Sequence, residues 1–483
     1  MFGLDKRTSI MVTVIVFGSF VTILNQTFVS PALPTMMRDF SCDAATVQWL
    51  TTGFLLVNAV MIPVTAYIME KFPPRNIFVF AMLVFAAGSA VCGWGPSFVV
   101  LLGGRLIQAI GAGIMMPMTM ATMLVTFPFE KRGTAMGIVG TVFACAPAIG
   151  PCLAGFLVTY TGWHVMFWGM SVVCVIFGVL GYFFVENKKP EHAKEVHLDV
   201  ISVILSTFGL GLLLYGLSII GSTGLTIFDG CLMIVGLVLI AFFCHRQLHL
   251  DHPMLEIRVL KSREFTFASF IGMVAQAGVT ISGILMPIYI QTILGYPALV
   301  SGLVILPGAV LSAAVNVWAG RFYDRHGPRL VILSGLGLFF VANLCFSLMP
   351  IDGSAWMVAI FFLFRQFGIA LHNMTATTWG MAKLDDSLAP HATSVQNTLR
   401  TVAASLGTAV VVSISSIVQS ATISTHTETE ATLMGVNVGF LTLSIVIFIV
   451  FVCSFFLIKN EKPGQATAEG EIIDELSARE NRE

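Results

Sequence analysis

Gly320-Arg321-Phe322-Tyr323-Asp324-Arg325-His326-Gly327-Pro328-Arg329 sets three arginines and a carboxylate between two apolar runs, near 298–319 and 330–349. A helix rises about 1.5 Å per residue, so an apolar run of about 20 residues crosses a hydrocarbon core of about 30 Å. The segment therefore reads as a short polar connection between two membrane-spanning helices. The same alternation of long apolar run and short charged break extends outward in both directions to the ends of the chain.

Composition agrees. The 483 residues are 56% hydrophobic and 11% charged, with a mean hydropathy of +0.89, whereas a soluble domain is about 25% charged. Short alternating strands, the mark of a membrane barrel, are missing, so the spans are helical. A formal net charge of -1 argues against a nucleic-acid partner. The nine cysteines form no Cys-x-x-Cys pair, and all but Cys42 sit in apolar stretches, which suits small packing residues better than disulfides or metal ligands. Lys6 and Arg7 precede an apolar run that outlasts a signal peptide's and lacks a small-residue cleavage site, so it reads as a retained first span.

Counting breaks places spans near 9–30, 46–68, 76–95, 98–122, 134–158 and 164–185, two more near 200–220 and 227–245, and six near 265–291, 298–319, 330–349, 355–379, 393–419 and 437–458. The expected architecture is an all-α integral membrane protein of 14 transmembrane helices: a six-helix half over 1–190, a two-helix insert over 191–246, a second six-helix half over 247–460 and a cytoplasmic tail over 461–483. Lysine and arginine are retained on the cytoplasmic side of short loops. Lys71 and Arg75, Lys131 and Arg132, Lys188, Lys189 and Lys194, Arg246 through Arg263, Arg321 with Arg325 and Arg329, Lys383 and the tail cations all fall on alternate loops. The intervening loops hold only Arg38, and Arg105, Arg365 and Arg400 lie inside spans. An even span count with both termini cytoplasmic follows.

Transporters built from two related halves repeat features at a steady offset. Pro34 and Pro287, Glu70 and Asp324, and Arg105 and Arg365 are each about 255 residues apart. The seventh and eighth spans then form an insert between the halves.

Several motifs carry a family resemblance. Gly320 through Arg329 is similar to the G-x-x-x-D-R-x-G-x-R loop of the major facilitator superfamily, with a degenerate first copy at Met69-Glu70-Lys71-Phe72-Pro73-Pro74-Arg75. Arg105-Leu106-Ile107-Gln108-Ala109-Ile110-Gly111-Ala112-Gly113 resembles the fourth-helix R-x-x-Q-x-x-G-x-G motif, and Gly150-Pro151-Cys152-Leu153-Ala154-Gly155 the fifth-helix antiporter motif. The stretch from Pro287 to Gln291, with Ser301-Gly302-Leu303 and Pro307-Gly308, completes a resemblance to the fourteen-spanner drug/proton antiporter branch, particularly lincomycin-resistance-type multidrug exporters.

That resemblance implies a cytoplasmic gate in which Glu70 and Asp324 supply the acids, Arg75 and Arg329 the cationic partners, and Gly320, Arg325 and Gly327 the rest of the motif. The plainer reading is topogenic charge and static loop stability. Gly150, Pro151 and Gly155 imply a bend between halves, or ordinary tight helix packing. Arginine inside a span is costly and should face the bundle interior. The resemblance makes Arg105 a candidate in proton coupling, against a structural role bonding carbonyls.

Many relatives carry an acid in the first helix, in a pattern like L-D-x-T; here the segment reads Leu24-Asn25-Gln26-Thr27, and Asn25 cannot titrate. Every other Asp and Glu falls in a loop, a tail or a helix end. Desolvating a cation without a carboxylate is expensive, so neutral, zwitterionic or anionic amphipathic substrates are favoured. Coupling then falls to Glu70, Asp324 or Arg105, or to His372, two turns after Arg365; a lone membrane histidine is also a common packing residue. Cavity candidates are Asn25, Gln26, Trp49, Asn58, Gln108, Met115, Met116, Gln276, Tyr289, Asn316, His372, Asn373 and Gln396, a mixture of polar and soft apolar groups suited to varied ligands.

The expected function is export of amphipathic small molecules, drugs or antibiotics, across the cytoplasmic (inner) membrane by alternating access with proton antiport. A specific exchanger or exporter of organic anions or lipid-like solutes, not necessarily proton-coupled, is the alternative. No phosphate loop of the Gly-x-x-x-x-Gly-Lys-Ser/Thr type occurs, so ATP is not the energy source expected. Clustered His, Asp or Glu ligands and a sizeable soluble domain are both missing, which disfavours an enzyme. No cofactor or metal is expected. The lipid bilayer, the small-molecule substrate and protons are the expected partners, and a single chain suffices to form the pathway.

Overall fold

The computed structural model describes residues 5–29, 32–42, 44–187, 199–223, 227–250, 253–296 and 298–459. The loop with Lys188, Lys189 and Lys194 and the tail over 461–483 lie outside the described residues. Among the described residues there are helices and no strands. In chain order they are α1 (Lys6–Phe28), α2 (Leu33–Asp39), α3 (Ala44–Lys71), α4 (Pro74–Trp94), α5 (Phe98–Thr126), α6 (Arg132–Tyr160), α7 (Trp163–Phe184), α8 (Val200–Thr223) and α9 (Ile227–His249). Then follow α10 (Arg263–Pro287), α11 (Ala298–His326), α12 (Pro328–Phe346), α13 (Ala355–Met381), α14 (Ala389–Thr422) and α15 (Glu428–Leu457).

Twelve described helices are long and apolar enough to cross a membrane. The 29-residue α6 and the 24-residue α8 stand outside that count, since their side chains are described only in part. One boundary differs from the sequence reading. The first span ends at Phe28, and Leu33–Asp39 forms a separate short helix with a proline in its first turn. A proline there has no amide hydrogen bond to lose, whereas inside a continuing α1 it would break the ladder. Pro287, which the sequence repeat pairs with Pro34, instead closes α10, where a π turn over Ile288–Ile293 continues the chain.

Local chemistry sets the other ends. Ser262 caps α10, Ser354 caps α13, and Thr427 with Glu430 forms a reciprocal capping box on α15. Gly327 has φ +83°, a left-handed conformation that ends α11, and its amide donates to Tyr323 O at 2.8 Å. Pro328 then opens α12.

Two compact units result. One comprises Met1–Thr122, Val142–Arg258 and Pro390–Thr398; the other comprises Met123–Thr141, Val259–Ala389 and Leu399–Glu483. In the first, α4 packs on α7, α8 on α9, and α3 on α8. Gly88 and Gly104 let α4 and α5 meet backbone to backbone, since a Cβ on Gly88 would stand 2.7 Å from Gly104 O. In the second, α13 packs against α10, α11 and α12, and α12 against α15, around a core that includes Phe339, Phe346 and Phe440.

The outward faces are apolar. On α7, Val172, Val175, Ile176, Val179, Tyr182 and Phe183 are exposed at helical spacing while Met166, Met170 and Cys174 are buried. A water-soluble protein rarely exposes such a stripe. Trp94, Tyr160 and Trp356 are strongly exposed at helix ends beside cation-poor loops, as the aromatic belt at a bilayer surface requires.

The Arg246 guanidinium grips Asp199 at 2.6 and 3.1 Å, joining the end of α9 to the start of α8. Burial raises the Asp199 pKa, but hydrogen bonds from Arg246 and Ser202 outweigh it and hold the carboxyl below its ordinary value. A carboxyl whose folded pKa is depressed stabilises above its unfolded pKa and loses that contribution as pH falls. Asp199→Asn is therefore expected to melt slightly below wild type at pH 7, with the gap closing as pH drops below about 4; thermal melts across that range check it.

Candidate functional site

Two sets of polar groups stand out from the apolar helices: arginines buried within them and carboxylates at their ends.

In the first unit Arg105, on α5, is fully buried. Its Nε donates to Leu50 O on α3 at 3.1 Å, and its Nη1 donates to Asn25 Oδ1 on α1 at 2.5 Å and to Gln108 Oε1 at 2.7 Å. Gln108 Nε2 donates to Ser89 Oγ on α4, which donates to Phe85 O. The guanidinium also lies 4.3 Å from the Phe54 ring centre, a favourable position for a desolvated cation. Four helices thus converge on one cation. Its side-chain partners are an amide of α1 and an amide one helical turn away on α5. Asn25, Arg105 and Gln108, read separately from the sequence, form one network, and Ser89 completes it without a sequence signal of its own.

The second unit holds Arg365 on α13 and Arg400 on α14, both buried. Arg365 Nη2 donates to Gly278 O on α10 at 2.6 Å, and its Nη1 donates to Gln366 Oε1 at 3.2 Å. Arg400 Nη2 donates to Thr377 Oγ1 at 2.8 Å. His372 Nδ1 donates to Gly368 O at 2.8 Å, and its ring tilts against Phe339, which Arg365 also overlies. Among the described residues none of the three arginines forms an ion pair, and every Asp and Glu lies at a helix end or outside a helix.

At the helix ends, Asp324 accepts from Gly133 N and Thr134 N, each at 2.9 Å, and from Thr134 Oγ1 at 2.5 Å. It caps the start of α6, where free amides and the helix dipole favour a negative charge. Gly320 makes the approach possible: a Cβ there would stand 2.1 Å from Gly133 O. Glu70, at the end of α3, accepts from His391 Nε2 at 2.5 Å. His391 Nδ1 accepts from Glu256 N at 3.1 Å, so the proton of the ring sits on Nε2, facing the carboxylate. The two loop acids thus meet the starts of α6 and α14.

The arginines assigned as their partners bond elsewhere. Arg75 donates to Val185 O at 2.9 Å and its amide to Glu186 O, beyond the last turn of α7; Arg329 donates to Phe455 O at 3.3 Å near the end of α15. A guanidinium is well suited to the unpaired carbonyls at a helix C-terminus, and the acids find amides and an imidazole instead. Arg325 is exposed on the last turn of α11. The sequence reading overlooked Gly133, Thr134 and His391, as well as Arg132, which donates to both Asp386 oxygens at 2.7 Å. The repeat carried the signal: α6 and α14 start about 255 residues apart, the offset of Glu70 and Asp324.

The remaining candidates are dispersed. Gly150 presses α6 onto α1, with a Cβ 2.4 Å from Thr27 Oγ1, while the side-chain surroundings of Pro151 and Gly155 in α6 lie outside the described residues. Trp49 stacks on Tyr215 at 5.6 Å, joining α3 to α8. Met115 is buried beside Phe78 and Met118. Tyr289 donates to Pro350 O at 2.6 Å and is a buried strut at the end of its helix. Asn316 donates to Ser312 O at 2.7 Å. Gln396 is buried with both amide atoms unpartnered, and Asn373 keeps a free Oδ1. Gln26, Asn58, Met116 and Gln276 are half-buried.

Glu70→Ala and His391→Ala are each expected to weaken transport severalfold, and the double variant by no more than either alone. A double-mutant cycle on efflux rate checks this; fully additive losses would mean the bond is incidental.

Long apolar helices tied together by buried arginines mark a polytopic membrane protein, and the family match makes it a transporter. The chain belongs to the Major Facilitator Superfamily, whose family model matches residues 15–408. The Uncharacterized MFS-type transporter YcnB of Bacillus subtilis (strain 168) is 39% identical over 458 residues, 95% of this chain and 96% of that one. The Lincomycin resistance protein LmrB of the same organism is 33% identical over 414 residues, 85% of each chain. Its namesake in Listeria monocytogenes is 31% identical over 407 residues, 84% of this chain and 86% of that one. The crystal structure of the human organic anion transporter MFSD10 aligns with a TM-score of 0.65 at 14% identity, covering 92% of this chain and 100% of that one. At that identity the likeness speaks for the fold alone.

Proposed function

We propose that this chain is a secondary active exporter of amphipathic small molecules, drugs or antibiotics among them, across the cytoplasmic membrane by alternating access. The observation that carries the reading is the 31–33% identity to lincomycin resistance proteins over 84–85% of the chain. The proposal includes fourteen spans, with α6 and α8 joining the twelve counted above, both termini cytoplasmic, six-helix halves over 1–190 and 247–460, and an insert over 191–246. Charge placement supports that orientation, because it leaves Arg38 as the sole cation in the outer loops. The bonds of Asp324 to α6 and of Glu70 to His391 supply contacts that can form in one conformer and break in another, as a gate needs.

Coupling to protons is the finer part of the proposal, with Glu70, Asp324, Arg105 and His372 as the groups available. A specific exchanger of organic anions without proton coupling is the second reading, favoured by buried arginines that have no ion-pair partner among the described residues. The test is transport in proteoliposomes under an imposed pH gradient, across cationic, neutral and anionic drugs. Export of neutral or anionic drugs accelerated by an inward proton gradient is expected. Movement of no solute against its gradient would end the exporter reading; gradient-independent exchange of anions alone would favour the second one.

A further inference from the structure

Two buried donors in the first unit lack acceptors and belong to hydrogen-bonded neighbours. Arg105 Nη2 and Asn25 Nδ2 both have no partner, while Arg105 Nη1 donates to Asn25 Oδ1. Arg105 and Asn25 are each 0% exposed. A buried, unsatisfied donor is unfavourable, and more so on a charged group. A guanidinium stays charged in proteins, so this site holds a positive charge whose side-chain partners are amides alone. Gln108 does not relieve it: its oxygen accepts from Nη1, not from Nη2, and its nitrogen donates to Ser89. Elsewhere the pattern differs: Arg365, whose Nη1 donates to Gln366 Oε1 at 3.2 Å, and Arg400 each leave a lone Nε, not a terminal Nη, without a partner.

We propose that Arg105 Nη2 and Asn25 Nδ2 bind the carboxylate of an anionic amphipathic substrate, an inference that rests on the exporter reading and narrows its substrate class. A carboxylate has two acceptor oxygens and a charge opposite to Arg105, so one group satisfies both free donors and neutralises the cation. Charge-assisted bonds of this kind are among the strongest a protein makes. Asn25 is the determinant of polarity. An aspartate at position 25 would fill the same role from within the chain, repelling an anion, whereas the amide leaves the guanidinium open to one.

The test uses the full chain in nanodiscs of zwitterionic lipid, which removes anionic headgroups as a source of the carboxylate's competitor. Affinity is measured for a fluorescent arylalkanoic acid and for its methyl ester, and the acid-to-ester ratio is the readout. Asn25→Asp is expected to lower that ratio at least about tenfold, and Arg105→Gln by a similar factor. Gly283→Ala is the control, since a Cβ there meets nothing within 4 Å. An unchanged ratio in Asn25→Asp, or loss of acid and ester in equal proportion in both variants, overturns the site, as does failure of the wild type to bind the acid. The exporter reading fails separately, if wild-type vesicles extrude neither compound although binding is measured.

Discussion

Asp324→Ala is expected to cut efflux at least about tenfold while the protein still inserts into the membrane. The substitution strips the acceptor from Gly133 N, Thr134 N and Thr134 Oγ1 together. Each stranded donor costs about 1–3 kcal/mol where water cannot replace the lost partner, and 1.4 kcal/mol is about a factor of ten in an equilibrium. A conformer held by this contact would lose most of its population. Asp324→Glu, which keeps the charge but moves it outward by a methylene, should recover part of the activity. Efflux rates, with alkylation of a cysteine introduced near the start of α6, read both effects; wild-type efflux and labelling in Asp324→Ala would remove the contact from the transport cycle.

Gly320→Ala is expected to be nearly as damaging for a different reason. A Cβ at 320 would stand 2.1 Å from Gly133 O and 2.7 Å from Gly133 C, and both are backbone atoms that cannot rotate away. The helices must separate, which pulls Asp324 off α6. Overpacking of this kind costs about 1–3 kcal/mol, and here it falls on the contact that Asp324 makes. The expected result is a drop in thermal stability and in efflux together, with Gly283→Ala unaffected in both. Melting in detergent and transport in vesicles check it. An alanine variant as stable and active as wild type would mean that α11 and α6 are free to part.

These two residues also mark where sequence and structure divide. The Gly320-to-Arg329 motif could be read as a helix–turn–helix connection because Gly327 and Pro328 dictate a left-handed end and a proline start. Its acid could be singled out, but its partner could not. The family resemblance pointed to the arginines nearby in sequence, Arg75 and Arg329, whereas helix ends offer carbonyls to arginines and amides to carboxylates. His391 was passed over because a histidine beside a proline carries no mark of the glutamate some 320 residues away. Asn25, Arg105 and Gln108 were each visible as polar residues in apolar spans, for which burial demands partners, yet their convergence depends on how α1, α4 and α5 pack.

By itself the sequence determined that this protein lives in a bilayer and that its apolar helices carry arginines, while among the described residues every acid lies at a helix end or outside a helix. Hydropathy and charge are local, additive properties, and the membrane makes them decisive because unpaired backbone and stray charge are both costly there. Tertiary structure alone decided which atoms meet. Asp324 grips α6, Glu70 takes His391, and Arg105 settles on an amide with two donors left over, because helix packing fixes distances to tenths of an ångström that no pattern of residue types encodes.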